Sequence, residues 1–236
     1  GAFSEDEVLQ AEKLIHSVLE EGNAEYVNQV RNFGTGKEDE GGHQVTFLHE
    51  HAKQRFPELL ERLWEVARAA DSKAAWSVAQ GFSERLGLRC MESIRYSASG
   101  VSENASAASL GWHYDGHTLI TVAVMLSQIK DFEGGKLEIS QSHTLQGQVD
   151  TFSPRRGDAV AWRGWDYHRV GAVQRGMRHV LVAEFWTGPD VVGSENRLMD
   201  YEEGYGLAIA LDPRSAYLRK QLSWILFERE ELSSSL

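Results

Sequence analysis

"TLITVAVMLSQIKDFEGGKLEIS", residues 118–140, joins two runs of β-type residues through a glycine pair. Val, Ile, Thr and Leu dominate the first run, the composition of a pleated, packed strand. The same texture recurs on both sides. "RCMESIRYS" (89–97) precedes it, and "DAVAWR" (158–163), "YHRVGAV" (167–173) and "RHVLVAEFW" (178–186) follow. Gly, Ser, Asp and Pro clusters separate the runs. Short strands at such spacing indicate a sandwich or a barrel.

Helical patterns flank this region. Ser4-x-x-Glu7 is a capping box, with Phe3 and Val8 placed as a hydrophobic staple. Val8, Ala11, Ile15 and Val18 then recur at helical spacing and predict a helix over 4–21. Pro57 suits a first helical position, and Leu60, Leu63, Trp64 and Ala67 follow on one face. A third helix is expected from Ser72 to about Leu86, with Ala75, Trp76, Ala79 and Phe82 inward. Asp212-Pro213 reads as a cap and first-turn proline before a last helix carrying Tyr217, Leu218, Leu222, Ile225 and Leu226. "GTGKEDEGGH" (34–43) reads as a mobile loop. With no repeat and no linker, the economical reading is one α+β domain over 1–236. Residues 1–87 are mainly helical support, 88–187 a β-core, and 188–236 a C-terminal helical extension.

The bulk numbers exclude some functions. Of the 236 residues, 42% are apolar and 25% charged, ordinary for a globular chain. The net charge of −11 repels phosphate backbones, so no nucleic-acid partner is expected. Cys90 is the only cysteine, so no internal disulfide can form, which slightly favours a cytoplasmic location. No apolar run reaches the roughly 18–20 residues of a membrane span. The chain starts at Gly1, which suggests a trimmed N-terminus.

"GWHYDGH" (111–117) sets His113 two positions before Asp115, and His168 follows in "RGWDYHRVGAV". Two imidazoles and one carboxylate form the facial triad of non-haem Fe(II) oxygenases, with coordination positions left open; a zinc site is the alternative on ligands alone. Arg178 lies ten positions after His168. If His168 starts one strand and Arg178 the next antiparallel strand, both enter one pocket. An arginine fork there would grip a carboxylate. Metal plus clamp suits a five-carbon dicarboxylate such as 2-oxoglutarate.

"IRY", "WHYD", "LITVAVMLS", "FEGGKLEI", "RRGDAVAW" and "HRVGAVQRGMR" occur in this order between about Ile94 and Trp186. This order resembles the 2-oxoglutarate/Fe(II)-dependent dioxygenases, specifically their prolyl 4-hydroxylase-like group. The resemblance implies a double-stranded β-helix (jelly-roll) core and makes His113, Asp115 and His168 the iron ligands. Arg178 would anchor 2-oxoglutarate, with Tyr96, Leu137 and Met125 lining its pocket. O2 is the second co-substrate, and ascorbate a candidate reductant. Asp115 favours hydroxylation, because halogenating relatives carry a small residue there. Relatives often have tryptophan at Glu184, and nucleic-acid demethylases of this fold have a second arginine.

The substrate expected from the resemblance is a peptidyl or free amino acid, with a small-molecule metabolite as the alternative. A cupin-like module that binds metal and acid without turnover is a further alternative. Strand alternation puts Glu184 on the face of Arg178. It would there meet either an internal partner such as Arg95 or Arg163, or a substrate group. Trp112 and Trp165 flank the ligand segments and are candidate substrate walls. His49 and His51 read as structural, and His117 and His143 as loop histidines. Ser97–Gly111 and Gly34–Gly42 are expected to close over substrate.

Overall fold

The computed structural model describes residues 1–20, 43–80, 82, 85–98, 108–140, 148–190 and 197–234. Two antiparallel sheets form the centre. The larger contains β1 (His43–Phe47), β2 (Gly87–Ser97), β10 (Val173–Trp186), β4 (Ile120–Met125) and β8 (Ala159–Arg163), in that order. β5 (Phe132–Gly134) pairs with the start of β10. The smaller sheet runs β3 (Leu110–His113), β9 (His168–Val170), β6 (Leu137–Ser140), β7 (Val149–Phe152). Antiparallel sheets with flanking helices agree with the jelly-roll expectation.

Alternation along β4 explains why "ITVAVM" is buried throughout. Ile120, Val122 and Val124 join a core formed with the helices, while Ala123 and Met125 join a second cluster between the sheets. The first core receives Val8 and Ile15 of α1 (Glu5–Glu20) and Leu63 and Trp64 of α3 (Pro57–Ala74). Leu63, Ile120 and Leu181 are fully buried, each stabilising by about 1.5–3 kcal/mol. The Ser4–Glu7 capping box forms, with the Ser4 N–H donating to Glu7 at 2.7 Å and the Glu7 N–H to Ser4 Oγ at 3.3 Å. Phe3 and Val8 both enter the core.

The helix expected over 72–86 does not form among the described residues. Instead α3 stops at Ala74, and Ala75 and Ser77 take left-handed backbone angles, φ 53° and 64°. Asp71 accounts for the turn: its carboxylate accepts the Val78 and Ala79 N–H groups at 2.9 and 3.1 Å. A short helix, α2 (His49–Arg55), and strands β1, β3, β5 and β7 were not legible as separate elements. Asp212 closes α4 (Leu198–Leu211) rather than opening the last helix. Ser215 Oγ accepts the Leu218 N–H at 3.3 Å at the start of α5 (Ala216–Ser234). Gly34–Gly42 and most of Ser97–Gly111 lie outside the described residues, as does His143.

Asp190, just past β10, ties three parts of the chain together. It accepts both Arg85 Nη groups at 2.7 and 2.8 Å and the Leu88 N–H at 2.8 Å, and it meets Lys53 Nζ of α2 at 3.2 Å. Burial pushes its carboxyl up, but these donors outweigh that and hold it well below the usual carboxylate range. Asp190→Ala should cost about 3 kcal/mol, the scale for breaking a largely buried pair, read as a lower urea midpoint at unchanged slope. The depressed pKa means the stabilisation is present above about pH 4 and fades as acid protonates the group. Wild type and Asp190→Ala should therefore converge in stability below that pH. A constant gap would sink this account.

Candidate metal centre and its pocket

His113 ends β3, and His168 opens β9 directly opposite it. Asp115 sits in the turn after β3, where its N–H donates to Gly164 O at 2.9 Å. Gly164 is required there, because a Cβ would meet the Thr118 carbonyl oxygen at 2.1 Å. One donor atom from each of the three side chains lies within 4.8 Å of the others. Asp115 Oδ1 is 3.6 Å from His113 Nε2 and 3.4 Å from His168 Nε2. The three atoms converge on one point that an ion can occupy.

The remaining polar atoms are used to orient these donors. His113 Nδ1–H donates to Gly111 O at 2.7 Å, and His168 Nδ1–H to Asp166 O at 2.9 Å, which leaves each Nε2 as the lone-pair nitrogen. Asp115 Oδ2 accepts Thr121 Oγ1–H at 2.6 Å and Trp162 Nε1–H at 2.8 Å, which leaves Oδ1 toward the two Nε2 atoms. Burial pushes Asp115 up, yet His168, His113 and these two hydrogen bonds together hold it below the usual carboxylate range. Burial, then the neighbouring His168, lowers His113 to about 4. A neutral imidazole and an ionised carboxylate are the forms that bind a cation.

Arg178 sits within β10 rather than at its start, directly opposite Tyr96 of β2. It is 2% exposed, and its Nε and Nη1 have no hydrogen-bond partner. The guanidinium lies 5.2 Å from the Tyr96 ring centre. Burial lowers its pKa. A charged fork without a partner is costly to bury and calls for an anionic ligand. Its stem passes over Gly135, whose φ of +61° and missing side chain are both needed: a Cβ would lie 2.7 Å from Arg178 Cδ. The "GG" step of the sequence thus serves both a turn and the close approach of the Arg178 stem.

One cavity of about 490 Å³ joins these groups, within the range of small-molecule sites. His113, Asp115, His168, Arg178, Tyr96, Leu137 and Glu184 all border it. Met125 is not on this wall; it borders a smaller cavity of about 170 Å³ next to Gly134 and Gly135. Trp112 and Trp165 are not on it either. Trp112 stacks on Tyr167 at 5.2 Å with Arg169 over its ring, and Trp165 is buried in the helix-side core. Glu184 has an internal partner, but it is Arg89 at 2.6 Å rather than Arg95 or Arg163.

Several cavity residues escaped the sequence reading. Trp162 was visible only as part of a strand run. His117 borders the cavity instead of lying in an open loop; its ring stacks on Tyr201 at 3.8 Å and its N–H donates to Tyr205 Oη at 3.1 Å. Tyr217 of α5 stacks on Tyr114 at 3.9 Å and 11°. The C-terminal helices therefore press on the turn that carries Asp115.

A family model described as the 2OG-Fe(II) oxygenase superfamily matches residues 99–187. No curated protein sequence matches the chain. Among solved structures, a 2OG-Fe(II) oxygenase family oxidoreductase from Burkholderia pseudomallei is similar at 17% identity and TM-score 0.53, covering 80% of this chain and 83% of its own. The epimerase SnoN of nogalamycin biosynthesis is similar at 15% identity and TM-score 0.53, covering 78% and 73%. A Pseudomonas putida prolyl-4-hydroxylase matches at 18% identity and TM-score 0.46, covering 78% and 87%. The first two likenesses establish the fold. The family description names both iron and 2-oxoglutarate, and the donor triad and the unpartnered arginine fit them. Over residues 99–187 the chain is similar to the 2OG-Fe(II) oxygenase superfamily, and the donor triad in that stretch fits the Fe(II) that the family description names.

Proposed function

We propose that the protein hydroxylates an unactivated C–H bond, with His113, Asp115 and His168 as iron ligands and Arg178 as the anchor for the far carboxylate of 2-oxoglutarate. One observation carries this reading: a buried guanidinium with partnerless Nε and Nη1 shares a cavity with the three donors. Fe(II) bound there supplies the dioxygen chemistry that turns 2-oxoglutarate into succinate and CO2 while a substrate C–H bond is oxidised.

The chain's own part is placement. Arg178 fixes one end of the co-substrate, with Tyr96 and Leu137 beside it. Ile94, Val180 and Val182 give the intervening wall an apolar surface. Asp115 fills its ligand position with an anion, which favours hydroxylation over transfer of a halide.

The substrate class proposed is a peptidyl or free amino acid, with proline favoured by resemblance. A small-molecule metabolite is the second reading, favoured by the likeness to SnoN, whose name ties it to nogalamycin biosynthesis. No helix among the described residues is long and apolar enough to cross a membrane.

Three measurements test the proposal. Purified protein with Fe(II), ascorbate and 2-oxoglutarate should consume oxygen and release succinate. Asp115→Ala should abolish both, and equal turnover by this variant would remove the triad from the mechanism. Thr121→Val deletes the hydroxyl that holds Asp115 Oδ2 and should weaken Mn(II) affinity roughly 10–100-fold in calorimetry, the usual effect of losing a ligand's supporting hydrogen bond. Arg178→Ala should weaken 2-oxoglutarate binding about 10–150-fold, and Arg178→Lys should fall between, because it keeps the charge and loses the fork. Unchanged affinity in Arg178→Ala would exclude 2-oxoglutarate from this end of the cavity.

A further inference from the structure

The cavity also borders a second charged group well removed from Arg178. β10 shows why. Arg178, Val180, Val182 and Glu184 share its inner face, so Arg178 and Glu184 stand about 20 Å apart at a strand rise of ~3.4 Å per residue. One end holds the unpartnered guanidinium. The other holds an ion pair, Arg89 Nη2 to Glu184 Oε2 at 2.6 Å.

Arg89 reaches this place through a break in strand register. Glu184 lies opposite Cys90, but the next residue, Phe185, lies opposite Leu88, so Arg89 is an extra residue bulged out of β2. Strict alternation would put Arg89 on the face of Met91, which is fully buried in the helix-side core. The bulge turns it inward instead, a recurrent use of bulges beside functional sites. Arg89 Nε donates to Thr118 Oγ1 at 3.0 Å, and Thr118 donates to Glu184 Oε2 at 3.1 Å.

Two atoms of the pair are left over. No hydrogen bond to Arg89 Nη1 or Glu184 Oε1 is seen among the described residues, and the two side chains keep 24% and 12% of their surface exposed. Both residues border the cavity, as do Tyr217 and Gln221 of α5. The pair therefore offers a donor, Arg89 Nη1, and an acceptor, Glu184 Oε1, to a half-buried compartment. The internal pairing already balances their charges. A carboxylate competing with Glu184 for Arg89 would leave one ion unmatched, which is costly away from water.

We infer that the Arg89–Glu184 pair is the substrate-recognition element of the cavity, and that it takes an uncharged group presenting a hydrogen-bond acceptor and donor side by side: an amide or two adjacent hydroxyls. The acceptor meets Arg89 Nη1 and the donor meets Glu184 Oε1. This rests on the oxygenase reading, because it assigns the far end of the cavity to 2-oxoglutarate. Glu92, on the same inner face of β2, adds a second carboxylate to this compartment, so an ammonium group is the sharpest rival.

The test is calorimetry on the whole chain loaded with Mn(II) and 2-oxoglutarate. The amide probes are N-acetylprolinamide, which is neutral, N-acetylproline, which is anionic, and prolinamide, which is cationic. The hydroxyl probe is cis-1,2-cyclohexanediol. The variant is Arg89→Leu/Glu184→Leu, because replacing both partners of a buried pair by apolar residues is commonly tolerated, whereas removing one is not. N-acetylprolinamide or the diol should bind more tightly than either charged probe and lose at least tenfold in the double variant, with 2-oxoglutarate binding retained. Preference between the two neutral probes assigns the amide or the hydroxyl source. Tighter binding of a charged probe, no binding of either neutral probe, or equal binding by the double variant overturns the inference. Loss of 2-oxoglutarate binding in the double variant does so too, since the pair would then be structural. A wild type that fails to bind 2-oxoglutarate overturns the oxygenase reading itself, a result read independently of the probes.

Discussion

β10 is held between β2 on one side and β4 on the other, and the rest of the site depends on that double pairing. Hydrogen bonds along both edges fix its register, so every second side chain is committed to the space between the sheets. Arg178 is thereby set opposite Tyr96, and Glu184 opposite Thr121. A slip of one residue would send both charges into the helix-side core, where Leu181, Ala183 and Phe185 now pack without exposure. Burial of that apolar face against α1 and α3 and inward aiming of the polar face are one constraint seen from two sides.

The metal-binding geometry has a different support. Asp115 lies in a turn, outside any strand, and a turn alone does not hold a carboxylate to the tolerance that coordination needs. Its Oδ2 is fixed by Thr121 of β4 and Trp162 of β8, which pair with each other across the larger sheet. Its backbone is tied to Gly164, and its neighbours Tyr114 and His117 are clamped by aromatic contacts from α5 and α4. The helices after β10 thus contribute to the site although no donor of the triad lies on them. The family model ends at residue 187, before these helices begin.

Charge is distributed along the cavity with the same economy. At one end a guanidinium has no partner among the described residues at two of its nitrogens. Two imidazoles and one carboxylate bring their donor atoms together on the same cavity. At the other end a cation and a carboxylate neutralise each other. Burial lifts Glu184 to about 7, against the opposing pull of Arg89. The apolar residues between these stations keep them from short-circuiting into a single salt-bridge network.

Much of this was legible in the chain. The capping box at Ser4–Glu7, the periodicity of α1 and α3 and the β-runs from residue 89 onward are local properties, and local spacing encodes them. The spacing of His113, Asp115, His168 and Arg178 singled them out, and the fold brings all four to one cavity. What the sequence could not carry was anything set by a non-local partner. The end of α3 depends on Asp71 reaching forward to Val78, and residue 212 closes a helix whose pattern was too evenly apolar to detect. Trp112 and Trp165 have the same composition cues as Trp162, yet only Trp162 meets Asp115, because strand pairing alone decides which face a tryptophan shares. Arg89 is the clearest case. Its alternation assigns it to the core, and a one-residue bulge, a property of two strands and not of one, turns it to the cavity beside Glu184. The sequence by itself determined the chemistry available to this protein; the tertiary structure decided which side chains could reach it, because reach depends on register, and register is set by the strand next door.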